Sequence, residues 1–129
     1  MTLSFGRALS SDPQDMAQRA VDVLGPDIAA RALGVADPRT PKQWASGTRS
    51  VRGHQTLLRL RTVHLVIEEL KSSLTNDEVA AWFTLFNPDL GCKAALQVLD
   101  EEPFEESGGL VLQAALDFTA SRRERKQPA

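Results

Sequence analysis

Apolar residues recur along this chain three or four positions apart, which is the spacing of α-helices rather than the alternation of strands. Asp12-Pro13 places a cap residue before a proline at a first helical position, so a helix is expected to begin there. Gly25-Pro26 ends that helix and starts the next. No stretch alternates apolar and polar residues over a convincing length. The pattern therefore predicts an all-α fold.

A third short helix is expected shortly after the second. Thr40-Pro41-Lys42-Gln43 has the order of a capping box, with a hydroxyl cap, a proline and Gln three residues after the cap. Gly47 is expected to stop this helix.

Residues 57–70 form the strongest helical segment of the sequence. Their apolar residues cover so much of the helical circumference that we expect a central helix that also forms part of a homodimer interface. The alternative is that other helices of the same chain cover it completely.

The remaining chain predicts smaller helices. Thr75 or Asn76 is expected to cap the next helix, whose Trp82 is expected in the core together with Phe86. Residues 94–99 predict a helix of two turns.

The C-terminal part of the chain is marked by charge. Residues 100–106 predict an acidic loop, and Gly108-Gly109 is expected to precede the last helix. The segment 121–129 predicts a frayed basic tail, and residues 1–11 a flexible N-terminus.

The segment between the second and third helices carries the pattern of a helix-turn-helix. Ala30 stands four residues before Gly34, so a small residue lets two helices cross closely and a glycine permits the tight turn. Val35 is expected to be the buried residue of the turn, and Trp44 to face inward from the second helix. Pro41 stands where a buried aliphatic residue is usual, which predicts a short or rotated second helix. A plain α-hairpin is the alternative.

Composition and charge add two expectations about partners. Residues 1–60 carry eight basic and five acidic residues, whereas residues 71–120 carry two basic and nine acidic residues. The last nine residues are again basic, with four basic residues and one acidic residue. This division predicts two different partner surfaces, unless the solvated faces differ by chance.

The basic front half favours nucleic acid as one partner. Six basic residues lie within 23 positions: Arg39, Lys42, Arg49, Arg52, Arg59 and Arg61. Lys42 and Gln43 stand near the start of the second helix of the motif, where they are expected to reach base edges. Arg49 and Arg52 follow that helix and are expected to contact DNA phosphates, and Arg39 is also expected to bind DNA.

Catalytic and metal chemistry is poorly represented. The single cysteine, Cys92, is expected as a small buried residue in a turn, and the two histidines, His54 and His64, as a helix-start and a core residue. No serine lies in a nucleophile motif, so we expect no enzyme, no cofactor and no metal site. The longest apolar run has five residues, far fewer than the ~20 of a membrane span, and no signal segment is visible, which predicts a cytoplasmic protein.

A family resemblance covers roughly residues 15–120. Its most specific part is Trp82, followed by Asn87-Pro88-x-Leu90-Gly91. This block resembles the toxin-binding domain of the Xre/MbcA/ParS-type antitoxins, although Ala94 stands where that family usually has proline. Residues 28–47 resemble the Xre-like helix-turn-helix that those proteins carry in front of it.

The resemblance implies a non-enzymatic antitoxin with two kinds of partner. It implies a helix-turn-helix region at residues 12–56 that represses its own operon by binding operator DNA. It also implies a central helix and toxin-binding domain at residues 57–120 that blocks a RES-domain, NAD-consuming toxin.

On charge and apolar character we expect the last helix and the tail to contact that toxin, through Leu110, Leu112, Phe118, Arg122, Arg123 and Arg125. The tail is either a plug for the active site or a solubilising end. The alternative function is a helix-turn-helix transcriptional regulator whose C-terminal half only dimerises.

Overall fold

The computed structural model of the chain describes residues 12–101 and 103–126, the last three of these as backbone only. Within these residues, helices alternate with short connections, and a single pair of two-residue strands is present. The predicted all-α class is therefore confirmed. The predictions made for residues 1–11 and 127–129 lie outside the described residues.

The elements follow one another with few loop residues between them. In chain order they are α1 (Pro13–Leu24), α2 (Pro26–Leu33), α3 (Arg39–Ser46), α4 (His54–Lys71), α5 (Asn76–Thr84), β1 (Phe86–Asn87), a 3₁₀ turn (Pro88–Leu90), β2 (Lys93–Ala94), α6 (Ala95–Glu101) and α7 (Phe104–Lys126).

Cap residues begin two of the helices where the sequence predicts them. The Asp12 carboxylate accepts a hydrogen bond from the Gln14 amide at 3.1 Å and so caps α1. Of the two candidate caps for α5, Thr75 is the cap. Its hydroxyl accepts from the Glu78 amide at 3.3 Å, while the Glu78 carboxylate accepts from the Thr75 amide at 2.9 Å.

The end of α2 is set by Gly34, as predicted. Its φ of 74° lies in the left-handed region that glycine tolerates best. The Gly34 amide donates to the Arg31 carbonyl at 3.2 Å, and the Val35 amide donates to the Ala30 carbonyl at 3.0 Å. This paired arrangement satisfies two carbonyls at the helix end and turns the chain toward α3.

The predicted capping box at Thr40 is wrong. The helix α3 already begins at Arg39, and Asp37 holds its first turn, because the Asp37 carboxylate accepts from the Arg39 amide at 2.9 Å. Thr40 and Pro41 are buried inside the helix. Pro41 thus fills the apolar position itself, and α3 runs for eight residues until Gly47, at a φ of 80°, ends it as predicted.

Three predictions about the C-terminal region are wrong. The segment 100–106 is mostly helical, because α7 begins at Phe104 and so contains Gly108 and Gly109. Gly108 is needed inside the helix, since a Cβ there would lie 2.8 Å from the ring of Phe104. The helix then continues to Lys126, so most of the expected frayed tail is helix.

The family-like motif after α5 forms a small β-hairpin. Its antiparallel register pairs Phe86 with Ala94 and Asn87 with Lys93. Asn87 is buried, and its side-chain oxygen accepts a hydrogen bond from the Asp89 amide of the 3₁₀ turn at 2.9 Å. Cys92, expected to be buried, is exposed and adopts a φ of 63° at the turn into β2. Phe86, expected in the core, is also exposed.

The helix α4 is the centre of the core and packs against α1 and α7. Its buried residues are Leu60, Val63, His64, Val66, Ile67 and Leu70. The remaining leucines of this helix are half-buried. Other helices of the same chain thus cover most of α4, and a homodimer contact on residues 57–70 stays a prediction.

Two kinds of feature, a membrane-spanning helix and a cluster of metal ligands, are absent from the residues that the structure describes. There, no helix has the length and apolar character needed to cross a bilayer. Nor do three His, Cys, Asp or Glu side chains come together there as metal ligands. His54 is the exposed first residue of α4, and His64 is buried in the core.

Adjacent glycines in α7 give a matched test of this packing. Gly109→Ala is expected to raise the free energy of unfolding by about 0.5–1 kcal/mol, because its Cβ would meet no atom within 4 Å and alanine favours the helix. Gly108→Ala is expected to lower it by about 1 kcal/mol, because the Phe104 ring must move. Urea denaturation of both variants checks this, and equal effects would contradict the described contact.

Candidate nucleic-acid and protein interfaces

A polar cleft lies between α3 and the start of α4. Its volume is about 850 Å³, and it contains two arginines and several hydroxyls. It is lined by Val35, Ala36, Asp37, Thr40, Trp44, Thr48, Arg49, Ser50, Arg52 and Thr56. Arg49 and Arg52 are exposed at its edge. Guanidinium and hydroxyl donors gathered in one open cleft suit the phosphate groups of a nucleic-acid backbone.

The other predicted DNA-binding residues lie on α3 and differ in their surroundings. Arg39 forms an ion pair with Asp37, with the closest nitrogen–oxygen distance at 3.0 Å. Hydrogen bonds from Arg39 lower the pKa of the Asp37 carboxyl below its ordinary value. The pairing is therefore lost only as the pH falls through that lowered pKa. Lys42 is exposed, while Gln43 is half-buried.

Arg59 does not belong to the basic surface on which the sequence places it. Its Nε donates to the Ala32 carbonyl at 2.7 Å, and its Nη2 donates to the Arg31 carbonyl at 3.3 Å. Its guanidinium also lies 5.4 Å from the ring centroid of Phe104. Burial lowers the pKa of Arg59 from its ordinary value. Arg59 therefore joins the C-terminal end of α2 to the first turn of α7.

A second concave surface, which we name the α5–α7 groove, is lined by residues of α5, α7 and the segment that follows α5. Its volume is about 340 Å³. It is lined by Leu74, Glu78, Ala81, Trp82, Leu85, Phe86, Asn87, Pro88, Phe118 and Arg122. Most of these side chains are apolar, and the charged members are one acid and one base. The chemistry of this groove thus differs from that of the polar cleft.

The rings of Trp82 and Phe118, which meet edge to face, form the floor of the α5–α7 groove. Trp82 meets Phe83 edge to face at 5.5 Å between centroids and Phe118 at 6.5 Å. The Arg122 guanidinium lies 5.8 Å from the centroid of Phe118. Two buried donors of the groove, Trp82 Nε1 and Arg122 Nε, have no hydrogen-bond partner within the described residues.

The residues predicted to contact a toxin are spread over two surroundings. Leu110 is 53% exposed, whereas Leu112 and Phe118 are partly buried and pack against the core. Arg122 belongs to the α5–α7 groove, and Arg123 lies 4.0 Å from Glu69. Of Arg125 only the helical backbone is described. The structure therefore brings Phe118 and Arg122 together and leaves Leu110 apart from them.

Leu85 and Phe86 are the exposed residues that sequence reasoning missed, at 62% and 78% exposed. For Phe86, the signal that indicates exposure is its place in the strand β1, because successive residues of a strand point to opposite faces of the sheet. Once Asn87 is buried, Phe86 has to point outward. Leu116 on α7, 41% exposed, was also missed.

The exposed large apolar side chains of the described residues all follow α4 in the chain. They are Leu85, Phe86, Leu110 and Leu116. The polar cleft, in contrast, is built from residues that precede Leu57. No family model, curated protein or solved structure matches this chain.

The contacts of Arg59 predict a structural role. Arg59→Ala is expected to lower the free energy of unfolding by about 2 kcal/mol, because it leaves helix-end carbonyls without a donor and removes packing on Phe104. Arg61→Ala, an exposed position on the same helix, is expected to change it by less than ~0.5 kcal/mol. Urea denaturation measures both changes in the free energy of unfolding. Equal small losses of stability in the two variants would contradict a structural role for Arg59.

Proposed function

We propose that this chain is an antitoxin that binds and blocks a RES-domain, NAD-consuming toxin and represses its own operon by binding operator DNA. One observation carries the proposal. The polar, arginine-bearing cleft precedes Leu57, and the exposed apolar side chains all follow α4. A protein that binds nucleic acid with one half and a protein with the other needs this division. The resemblance of residues 28–47 and 82–99 to the Xre/MbcA/ParS-type antitoxins supplies the identity of both partners.

The DNA part of the proposal rests on the cleft and on α3. Arg49 and Arg52, together with the neighbouring hydroxyls, bind phosphates and so fix the register of the protein on the duplex. Lys42 and Gln43 lie on α3, the helix that would enter the major groove, where Gln pairs best with adenine and Lys with guanine. Arg39 is held by Asp37 and orients the start of that helix.

Salt dependence tests the DNA part. Arg49→Ala or Arg52→Ala is expected to weaken binding to the protein's own promoter fragment and to reduce the salt slope by about one unit each. Gln43→Ala is expected to change sequence preference with little change in slope. Arg123→Ala removes the same charge far from the cleft and serves as the control. Absence of any mobility shift of the promoter fragment at low salt would contradict operator binding.

The inhibitory part rests on the surface that follows α4. Exposed leucine and phenylalanine side chains bury well against a protein, and such apolar burial mainly slows dissociation. Two acidic residues at the end of α6 are engaged within the chain, since Asp100 pairs with Arg31 at 3.0 Å and Glu101 with Lys93 at 2.9 Å. Because α7 is helical to Lys126, a rigid helical face accounts for inhibition better than a loose plug does.

Consumption of NAD by a RES-domain enzyme encoded next to this chain measures inhibition directly. We expect inhibition to persist when the chain is truncated after Ser121, because the exposed apolar residues precede that point. Leu110→Asp is expected to raise the half-inhibitory concentration about tenfold or more, because it places a carboxylate in an apolar contact.

Reciprocal controls separate the two activities. Arg49→Ala is expected to inhibit the enzyme normally, and Leu110→Asp is expected to bind the promoter fragment normally. Loss of inhibition after truncation would instead indicate that the C-terminal tail plugs the active site of the toxin. If the unaltered chain binds the operator but leaves NAD consumption unchanged at every concentration, the result favours the alternative function. That alternative is a transcriptional regulator whose C-terminal half only dimerises.

A further inference from the structure

We propose that the polar cleft between α3 and α4 binds a small phosphate monoester of nucleotide size. The inference goes beyond the proposed function, since it requires neither operator DNA nor a toxin. It rests on buried hydrogen-bond donors in the lining of the cleft, on the start of α4 and on the charge at the edge.

Two side chains that line the cleft are almost completely buried and carry hydrogen-bond donors. Thr40 is 6% exposed and Trp44 is 5% exposed. Within the described residues, neither the Thr40 hydroxyl nor the Trp44 indole N–H has a hydrogen-bond partner. A double helix is too wide to enter a cleft of about 850 Å³, whereas a small molecule that enters it reaches groups as deeply buried as these.

The start of α4 adds backbone donors to the same cleft. This helix is 18 residues long, its N-cap residue is Gly53, and no side chain caps it. Its first turn contains no acidic residue, and Thr56 of that turn lines the cleft. The unpaired amides of a first turn and the positive end of the helix dipole both favour a bound anion.

The charged side chains of the cleft also favour an anion. Arg49 and Arg52 are exposed at its edge, and neither forms a salt bridge with a described acid. Asp37 is the one acid in the lining, and the Arg39 guanidinium engages both of its carboxylate oxygens. The charge of Asp37 is therefore balanced, while the two arginines remain available for charge-assisted hydrogen bonds to phosphate.

This set of donors suits a phosphate monoester better than a phosphate diester. A monoester carries close to two negative charges near pH 7 and three terminal oxygens, so it accepts from a guanidinium, a hydroxyl and backbone amides at the same time. A diester, such as the DNA backbone, carries one charge and fewer free oxygens. The cleft volume of about 850 Å³ leaves room for a nucleoside beside the phosphate.

Calorimetric titration of the full chain with adenosine monophosphate (AMP) tests the proposal. We expect a Kd below about 1 mM for AMP, and affinities at least about tenfold weaker for adenosine and for cyclic AMP. Adenosine lacks the phosphate, and cyclic AMP carries it as a diester on the same nucleoside. No DNA or toxin is present, so failure of this test leaves the proposed function untouched.

Three outcomes of the titrations would overturn the proposal. The first is no binding of AMP up to about 5 mM, and the second is equal affinity for AMP and adenosine. The third is equal affinity for AMP and cyclic AMP, because the cleft would then be only a contact for phosphate diesters such as the DNA backbone.

Substitutions at Thr40 test the buried donor. Thr40→Val keeps the volume of the side chain but removes the hydroxyl, and it is expected to raise the Kd for AMP about fivefold. Thr40→Ser keeps the hydroxyl and is expected to change the Kd less than about twofold. Circular dichroism shows whether each variant folds. An unchanged Kd in a folded Thr40→Val variant would contradict the proposal.

A matched pair of arginines tests the charge. Arg52→Gln is expected to raise the Kd for AMP about tenfold, whereas Arg123→Gln, which removes the same charge far from the cleft, is expected to change it less than about twofold. Equal losses in the two variants would indicate a general effect of net charge and would overturn the proposal.

The two tryptophans locate the ligand. In a Trp82→Phe background, AMP is expected to change the emission of Trp44, which lines the cleft. In a Trp44→Phe background, AMP is expected to leave the emission of Trp82 unchanged, because Trp82 lines the α5–α7 groove. A change confined to Trp82 would place the ligand outside the polar cleft, and the proposal would be wrong.

Discussion

The burial of α4 is the constraint on which the rest of the structure depends. Its apolar residues point in too many directions for one neighbouring helix to cover them, so α1 and α7 both pack against it. Leu60, Ile67 and Leu70 are almost completely buried, and each contributes on the order of 1.5–3 kcal/mol by leaving water. Since α1 precedes and α7 follows, the two halves of the chain share one core.

Polar contacts between the halves orient this core more than they stabilise it. The Arg19–Glu68 pair at 2.6 Å and the Arg31–Asp100 pair at 3.0 Å are partly exposed, and such pairs contribute little. Arg59 is different, because it is half-buried and donates to helix-end carbonyls of α2 while packing on Phe104. Arg59 thus fixes α2 and α3, which lie beside the polar cleft, relative to α7, which forms one wall of the α5–α7 groove.

Local signals in the sequence predicted the helix ends well, and tertiary contacts explain the failures. Asp12, Thr75 and Gly34 act through neighbouring backbone groups, so their roles are visible without the fold. Gly108-Gly109 is expected before the last helix because glycine disfavours a helix interior, whereas the Phe104 ring one turn earlier fills the space of the missing Gly108 side chain only once the helix has formed. The arginines at the cleft could be predicted from the charge pattern. The exposure of Phe86 could not, because it depends on a strand of only two residues.

The shared core holds two surfaces of different chemistry on one body. The two tryptophans of the chain test this directly, because Trp44 lies beside the polar cleft and Trp82 forms the floor of the α5–α7 groove. Urea unfolding followed by fluorescence in Trp44→Phe and Trp82→Phe variants reports on each half separately, with circular dichroism reporting on the whole chain in each variant. A shared core predicts that fluorescence and circular dichroism give the same midpoint and slope within each variant. A fluorescence transition that is clearly separated from the loss of helix in either variant would show that the halves unfold independently and would contradict the account.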